Sequence, residues 1–306
     1  MNWFHELFGF HESEEAVRAN IELDGPRLRS LANDRVFHHG SLETPSLSQL
    51  RERVKGISLP GTICVREVVA DVRSLHREPA NAGALFQVAS QFNLLEMISP
   101  NAEPADGITR YILDGTQGPA CAMACAAGTL YRNWFAQTTS EQIDCLADVG
   151  AEINSNGQLW SMRNGYALLS EQAYDAPESF DKLRIGLHWN TEVTDASAAH
   201  RVTQAYCSAL PISYSRVQTR SVEPLTRAVL NSAYEATLAA AVLNAHAREG
   251  MPKVFLTLLG GGAFGNPVSW IVDTIERALK LYADVALEVV FVSYGAPEPA
   301  IERLLT

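Results

Sequence analysis

The feature that most constrains the fold is the passage from "KVFLTLL" (253–259) through "GGGAFGNP" (260–267) into "VSWIVDTIERALKLY" (268–282). The first stretch is an apolar run of strand length. The last repeats its apolar residues at helical spacing and predicts an amphipathic helix. Pro267 stands at the helix start, where a missing N–H costs nothing. A strand that turns on glycine straight into a helix is the unit from which parallel sheets are built, because parallel strands need a crossover between them.

Other segments read the same way. "TICVREVVADV" (62–72), "ALFQVAS" (84–90), residues 183–189 of "KLRIGLHWNTEV" and "LEVVFVSYG" (287–295) are expected strands. "SLSQLRERV" (46–54) is an expected helix with Ser46 or Ser48 as its cap. "ACAMACAAGTLYRNWF" (120–135) is a small-residue helix with Pro119 in its first turn. "LTRAVLNSAYEATLAAAVLNAHAREG" (225–250) is a long helix with Gly250 as its C′ glycine. Asn164 and Gly165 predict a hairpin turn inside "QLWSMRNGYALL". The fold class is α/β: a three-layer α/β/α domain with a mixed, mostly parallel central sheet. Residues 1–80 read as a helical and mixed N-terminal extension packed on a main domain of residues 81–306.

Gly260, Gly262 and Gly265 satisfy G-x-G-x-x-G, and a glycine loop at a helix N-terminus is an anion site. Three observations argue against a nicotinamide dinucleotide in a Rossmann domain. The motif lies near the C-terminal end, with room for one further strand. No acidic residue ends that next strand; "SYGAPEP" does. The loop also carries a bulky Phe264 and Asn266. The net charge is −11, from 24 basic and 35 acidic residues, which argues against a nucleic-acid partner. A phosphate here is therefore expected to rest on backbone N–H groups, not on a lysine patch.

A second loop, "DGTQGPA" (114–120), also runs into a helix N-terminus. In a parallel sheet both loops lie at the C-terminal ends of strands, where ligands bind. Two such N-termini suit a pyrophosphate with a sugar on each side. This arrangement resembles the macro domain, in particular its poly(ADP-ribose) glycohydrolase-like branch. "GGGAFGNP" is similar to that family's diphosphate loop. "VASQFN" is similar to its first strand and asparagine, and "GTQGPA" stands where the family has a triple glycine. The resemblance spans about residues 84–295.

The resemblance implies an ADP-ribose site, and the sequence itself calls for no cofactor and no metal. The N–H groups of Gly261, Gly262, Ala263 and Phe264 would cradle the diphosphate, with Phe264 packed on the distal ribose and Gly260 and Gly265 also in the binding loop. Asn266 would hold a ribose hydroxyl or brace the loop. Thr116, Gln117 and Gly118 would cover the opposite side, and Gln91 and Asn93 would reach in from the first strand. Phe92 and Tyr206 are weak candidates for the adenine pocket.

Cleaving a glycosidic bond of ADP-ribose needs a carboxylate for water or charge, and often a second group to protonate the leaving atom. The expected catalytic acids are Asp114, then Asp106, then Glu96. Each has a plain alternative: a cap for Asp114, an Asx-turn for Asp106, a structural or solvent role for Glu96. The family's consecutive glutamates after glutamine are absent. A divalent ion held by Asp106 and Asp114 is conceivable but not required. His188 reads as a core histidine, and His38 and His39 as an exposed pair.

The expected partner is ADP-ribose or an ADP-ribosylated protein, and the expected activity is ADP-ribosylhydrolase. A non-catalytic ADP-ribose reader shares the same glycine loops and stays open. No apolar run approaches the roughly 20 residues of a membrane span, and the N-terminus lacks a basic start before an apolar stretch. Cys64, Cys121, Cys125, Cys145 and Cys207 form no C-x-x-C pair and are expected to be free, buried thiols. A cytoplasmic location follows as an expectation. Oligomeric state has no signal.

Overall fold

The computed structural model describes residues 2–198, 200–247 and 251–305. The chain opens with α1 (Trp3–Phe8), α2 (Glu14–Asn20) and a small antiparallel sheet of β1 (Ile21–Asp24), β2 (Arg27–Ser30) and β3 (Val36–His38). Then follow β4 (Ser41–Glu43), α3 (Leu47–Val54), β5 (Cys64–Val69), α4 (Val72–Arg77) and β6 (Leu85–Ala89). A long irregular stretch leads to α5 (Gln117–Ala124), α6 (Ala126–Trp134) and α7 (Ala147–Ile153). The hairpin β7 (Trp160–Arg163) and β8 (Tyr166–Leu169) precedes β9 (Gly186–Glu192) and β10 (Arg201–Cys207). The chain closes with α8 (Glu223–Ala247), β11 (Lys253–Leu256), α9 (Val268–Leu281) and β12 (Glu288–Ser293).

The central sheet has seven strands in the order β4-β9-β10-β6-β11-β12-β5. From β10 to β5 every neighbour pair is parallel; β9 is antiparallel to both β10 and β4. The fold is thus α/β with a mixed, mostly parallel sheet. Alternation along β10 assigns the layers. Thr203 bonds Asn244 of α8, and Cys207 contacts Thr237 of α8. Gln204, pointing the other way, bonds His76 of α4 and the Cys121 carbonyl of α5. Helices α3, α8 and α9 pack together on one side, and α4 and α5 pack on the other. Because α8 lies between the sheet and α3 and α9, its apolar residues face several directions, and most of them are buried.

Two sequence-derived boundaries need correction. β4 and β5 are the two edges of the central sheet, paired with β9 and β12, so no division falls at residue 80. Only the segment through β3 forms a separate layer, whose core of Phe4, Phe8, Val17, Leu28 and Phe37 packs on α5 and α6. The helix expected over 120–135 is two helices, broken at Cys125, where φ is −115° and ψ is 59°. Strand β10 carries no expectation from the sequence. Gly250 lies outside the described residues.

Local signals hold elsewhere. Ser46 caps α3 through a full capping box with Gln49. Asn164 (φ 45°) and Gly165 (φ 80°) make the left-handed turn of the β7–β8 hairpin. The five cysteines are free, but Cys64 is exposed on the edge strand rather than buried. His39 is buried and stacks on Tyr131 at 4.2 Å, so the histidine pair is not an exposed one.

Candidate functional site

A cleft of about 410 Å³ opens at the C-terminal edge of the parallel strands. Four strands feed it. β6 leads to Ser90 and Gln91, β10 to Ala209, β11 to the glycine loop, and β12 to Tyr294. The N-terminus of α5 closes one side, and Tyr166 of β8 with Tyr214 closes another. Position at the carboxyl ends of parallel strands is the general rule for ligand clefts in open α/β sheets.

The glycine loop is held open by its own hydrogen bonds. Gly261 N–H donates to Leu258 O (3.0 Å), Gly265 N–H to Gly262 O (3.1 Å), and Asn266 N–H to Gly260 O (2.9 Å). Gly260 (φ 78°) and Gly265 (φ 71°) take left-handed conformations that side chains rarely adopt. A Cβ on Gly265 would also collide with the Ser213 hydroxyl. This leaves the N–H groups of Gly262, Ala263 and Phe264 without an acceptor among the described residues, and all three residues line the cleft. Successive free N–H groups form an anion-binding nest. Asn266 is buried and braces the loop by donating to Leu210 O (2.8 Å). Gly261, Gly265 and Asn266 therefore shape the loop without lining the cleft.

Across the cleft, Gly115, Thr116, Gln117 and Gly118 lie at the start of α5. The first N–H groups of a helix have no partner within it, so this end also presents donors and the positive end of a dipole. Asp114 lines the cleft, and its Oδ1 accepts from Thr116 N–H at 2.8 Å. The Gln117 side-chain Oε1 accepts from Val72 N–H (2.8 Å), tying α5 to α4.

Gln91 is buried, and its side chain grips the Met97 backbone with bonds of 2.6 Å and 3.2 Å. It lines the cleft and fixes the turn between residues 91 and 97. Asn93 does not reach the cleft. It is fully buried, bonded to Gln142 (2.9 Å) and to Leu95 N–H (3.2 Å) beneath the hairpin.

Glu96 is the unusual group. It lines the cleft, is 5% exposed, and its Oε1 is buried with no hydrogen-bond partner among the described residues. Burial pushes its carboxyl well above the usual carboxylate range; the Arg132 guanidinium opposes that rise, and the Asp114 charge adds to it. Arg132, wholly buried behind the cleft, donates to Leu94 O (3.2 Å) and Thr129 Oγ1 (3.0 Å), and lies 3.7 Å over the Tyr206 ring. Tyr206 is therefore occupied in the core, as is Phe92, and neither lines the cleft.

Asp106 lies outside the cleft lining. It accepts from Glu103 N–H (2.9 Å) and pairs with Arg110 at 3.0 Å. This is half of a capping box with Glu103 on the short turn 104–106, together with a surface pair, and not the Asx-turn expected from "PADG". Among the described residues no group of three His, Cys, Asp or Glu side chains comes together as a metal site.

The aromatic wall was not anticipated. Phe264 packs against Tyr166 (5.4 Å) and Tyr214 (5.8 Å), which are themselves 5.1 Å apart. Tyr294, 67% exposed, stands at the rim. Its place just after a strand beside the glycine loop was the available signal. Among the described residues that line the cleft, Glu96 and Asp114 are the only acidic side chains, and no basic one is present. Anion recognition there rests on the backbone.

No protein-family model matches the chain, and no curated protein does. Solved structures do. A point mutant of the poly(ADP-ribose) glycohydrolase of Deinococcus radiodurans, in complex with ADP-ribose, is 15% identical with a TM-score of 0.50; the match covers 86% of this chain and 94% of that one. Another structure of the Deinococcus enzyme with ADP-ribose gives 16%, 0.49, 86% and 94%. The glycohydrolase of Thermomonospora curvata gives 15%, 0.46, 94% and 92%. The first of these likenesses establishes that the two chains share a fold.

Proposed function

We propose that this chain is an ADP-ribosylhydrolase that releases ADP-ribose from modified protein side chains. The observation that carries the reading is a buried Glu96, its Oε1 without a partner among the described residues, in the same cleft as two sets of free backbone N–H groups. The fold likeness to a glycohydrolase that holds ADP-ribose supports the choice of ligand. The nest at Gly262, Ala263 and Phe264 and the α5 N-terminus receive the diphosphate. Phe264, with Tyr166 and Tyr214 behind it, packs on the distal ribose, and exposed Tyr294 offers a face to adenine.

Burial raises the Glu96 carboxyl and so favours its neutral form, which does not repel the diphosphate. It donates its proton to the leaving atom as the glycosidic bond breaks and the bonding pair moves to that atom. Asp114 faces the oxocarbenium-like sugar from the same cleft. Water adds to the anomeric carbon and loses its proton to the Asp114 carboxylate, giving free ADP-ribose and the unmodified side chain. The order of the acids thus differs from the sequence expectation: Glu96 replaces Asp106 beside Asp114.

Calorimetric titration with ADP-ribose and AMP tests the ligand, and ADP-ribose binding no tighter than AMP overturns the reading. Incubation with mono-ADP-ribosylated protein tests the chemistry. Release by the natural chain and not by Glu96→Gln supports hydrolysis. Binding without release identifies a reader.

A further inference from the structure

The loop that brings Asp114 to the cleft is anchored from far away in the chain. Glu12 lies between α1 and α2. Its carboxylate accepts four hydrogen bonds: Ile108 N–H (2.9 Å), Thr109 N–H (2.7 Å), the Thr109 hydroxyl (2.5 Å) and Trp134 Nε1–H (2.8 Å). Trp3 Nε1–H adds a bond to Thr109 O at 3.0 Å. Gly107 (φ 76°) leaves room for the carboxylate, since a Cβ there would stand 2.6 Å from Glu12. A negative charge on the first N–H groups of a helical turn is the favourable arrangement, and here the turn is the 3₁₀ segment Thr109–Leu113.

Both candidate acids hang from that turn. Asp114 follows it directly, with its N–H donating to Tyr111 O (3.2 Å). Glu96 N–H donates to the Tyr111 hydroxyl (3.0 Å), and Tyr111 is buried in the core shared by the N-terminal layer and α5 and α6. We infer that Glu12 is a positioning residue: its carboxylate holds the 108–111 turn, and through Tyr111 sets the placement of Glu96 and Asp114. The N-terminal layer is thereby a working part of the cleft. The inference rests on the catalytic reading for its effect on rate, but not for its effect on structure.

The experiment uses the full chain. Glu12→Gln removes the anion that the four donors share, while Phe8→Leu loosens the same N-terminal core without touching the clamp. Amide hydrogen exchange at residues 96 and 114 reads the placement with no ligand present. Glu12→Gln is expected to lose about tenfold or more of the protection at both amides. Phe8→Leu is expected to leave that protection in place at a matched loss of melting temperature. Where the natural chain releases ADP-ribose, Glu12→Gln should lower kcat more than it raises KM and move the alkaline limb of the pH profile, which Glu96 sets as proton donor. Equal exchange in the two variants, or unchanged protection in Glu12→Gln, overturns the inference. If Glu12→Gln does not fold, Tyr111→Phe cuts the same line at its other end, and unchanged protection at Glu96 in that variant overturns it. Lost protection in a chain that binds no ADP-ribose supports the clamp and refutes the function.

Discussion

Gly118 and Glu96 touch across the floor of the cleft: a Cβ built on Gly118 would stand 2.5 Å from Glu96 Oε2 and would also collide with the Ala89 carbonyl oxygen. The backbone of α5 thus approaches the end of β6 as closely as glycine permits, and the acid fills the remaining space. Gly118→Ala should push α5 outward or turn Glu96 away. The expected result is an ADP-ribose affinity lower by about tenfold and a stability loss of about 1–3 kcal/mol, the usual cost of overpacking. Calorimetry and thermal melting read the two effects. An alanine variant that binds and melts like the natural chain would show that the contact constrains nothing.

Asp114 and Asp106 make a paired prediction, because both lie in the same acidic stretch and only Asp114 lines the cleft. Asp114→Asn keeps the Thr116 N–H bond through its amide oxygen and removes only the charge. It should lower kcat for ADP-ribose release by about 100-fold, within the usual range for loss of a proton acceptor. Asp106→Asn breaks a surface pair with Arg110, 64% exposed, and should leave kcat within about twofold. A larger loss in the Asp106 variant would reverse their roles.

Phe264 is half-buried and meets two tyrosines at 5.4 Å and 5.8 Å. Phe264→Ala removes the ribose-facing wall and both ring contacts, each worth about 0.5–1.5 kcal/mol. ADP-ribose affinity should fall by about tenfold or more, while AMP, which lacks the distal ribose, should lose less. Equal losses for the two ligands would place the ring elsewhere along the nucleotide.

What was legible in the sequence was local. Runs such as "ALFQVAS" and "LEVVFVSYG" mark strands through apolar and β-branched content, and "GGGAFGNP" marks a turn that only glycine can make at residues 260 and 265. β10 escaped because "RVTQAYC" buries polar residues, and their partners, Asn244 and His76, come from distant helices. The boundary at residue 80 fails for the same reason: β4 and β5 find their places only by pairing with β9 and β12. The family resemblance of "VASQFN" implies a ligand role for Asn93, yet its side chain turns under the hairpin to Gln142. Glu96 ranked last among the acids because its burial and lack of a partner are tertiary properties.

Glu96 also links activity to stability with a definite sign. Its folded carboxyl is raised above the unfolded one, with burial the main cause. The folded chain therefore binds an extra proton over the window between the two values. Stability is fully present below the unfolded carboxyl's range, near pH 4, and is lost as pH rises toward the folded value. Glu96→Gln has no proton to lose. It should melt close to the natural chain at about pH 4 and above it at pH 8, with the gap widening between. Hydrolysis should run the opposite way: at pH 7 the glutamine variant should lose about 100-fold or more of kcat, since it has no proton to donate. Melting curves across pH, together with single-turnover rates, check both. A glutamine variant that is less stable than the natural chain at pH 8 would mean that Glu96 is ionised and paired in solution, and the acid role would go with it.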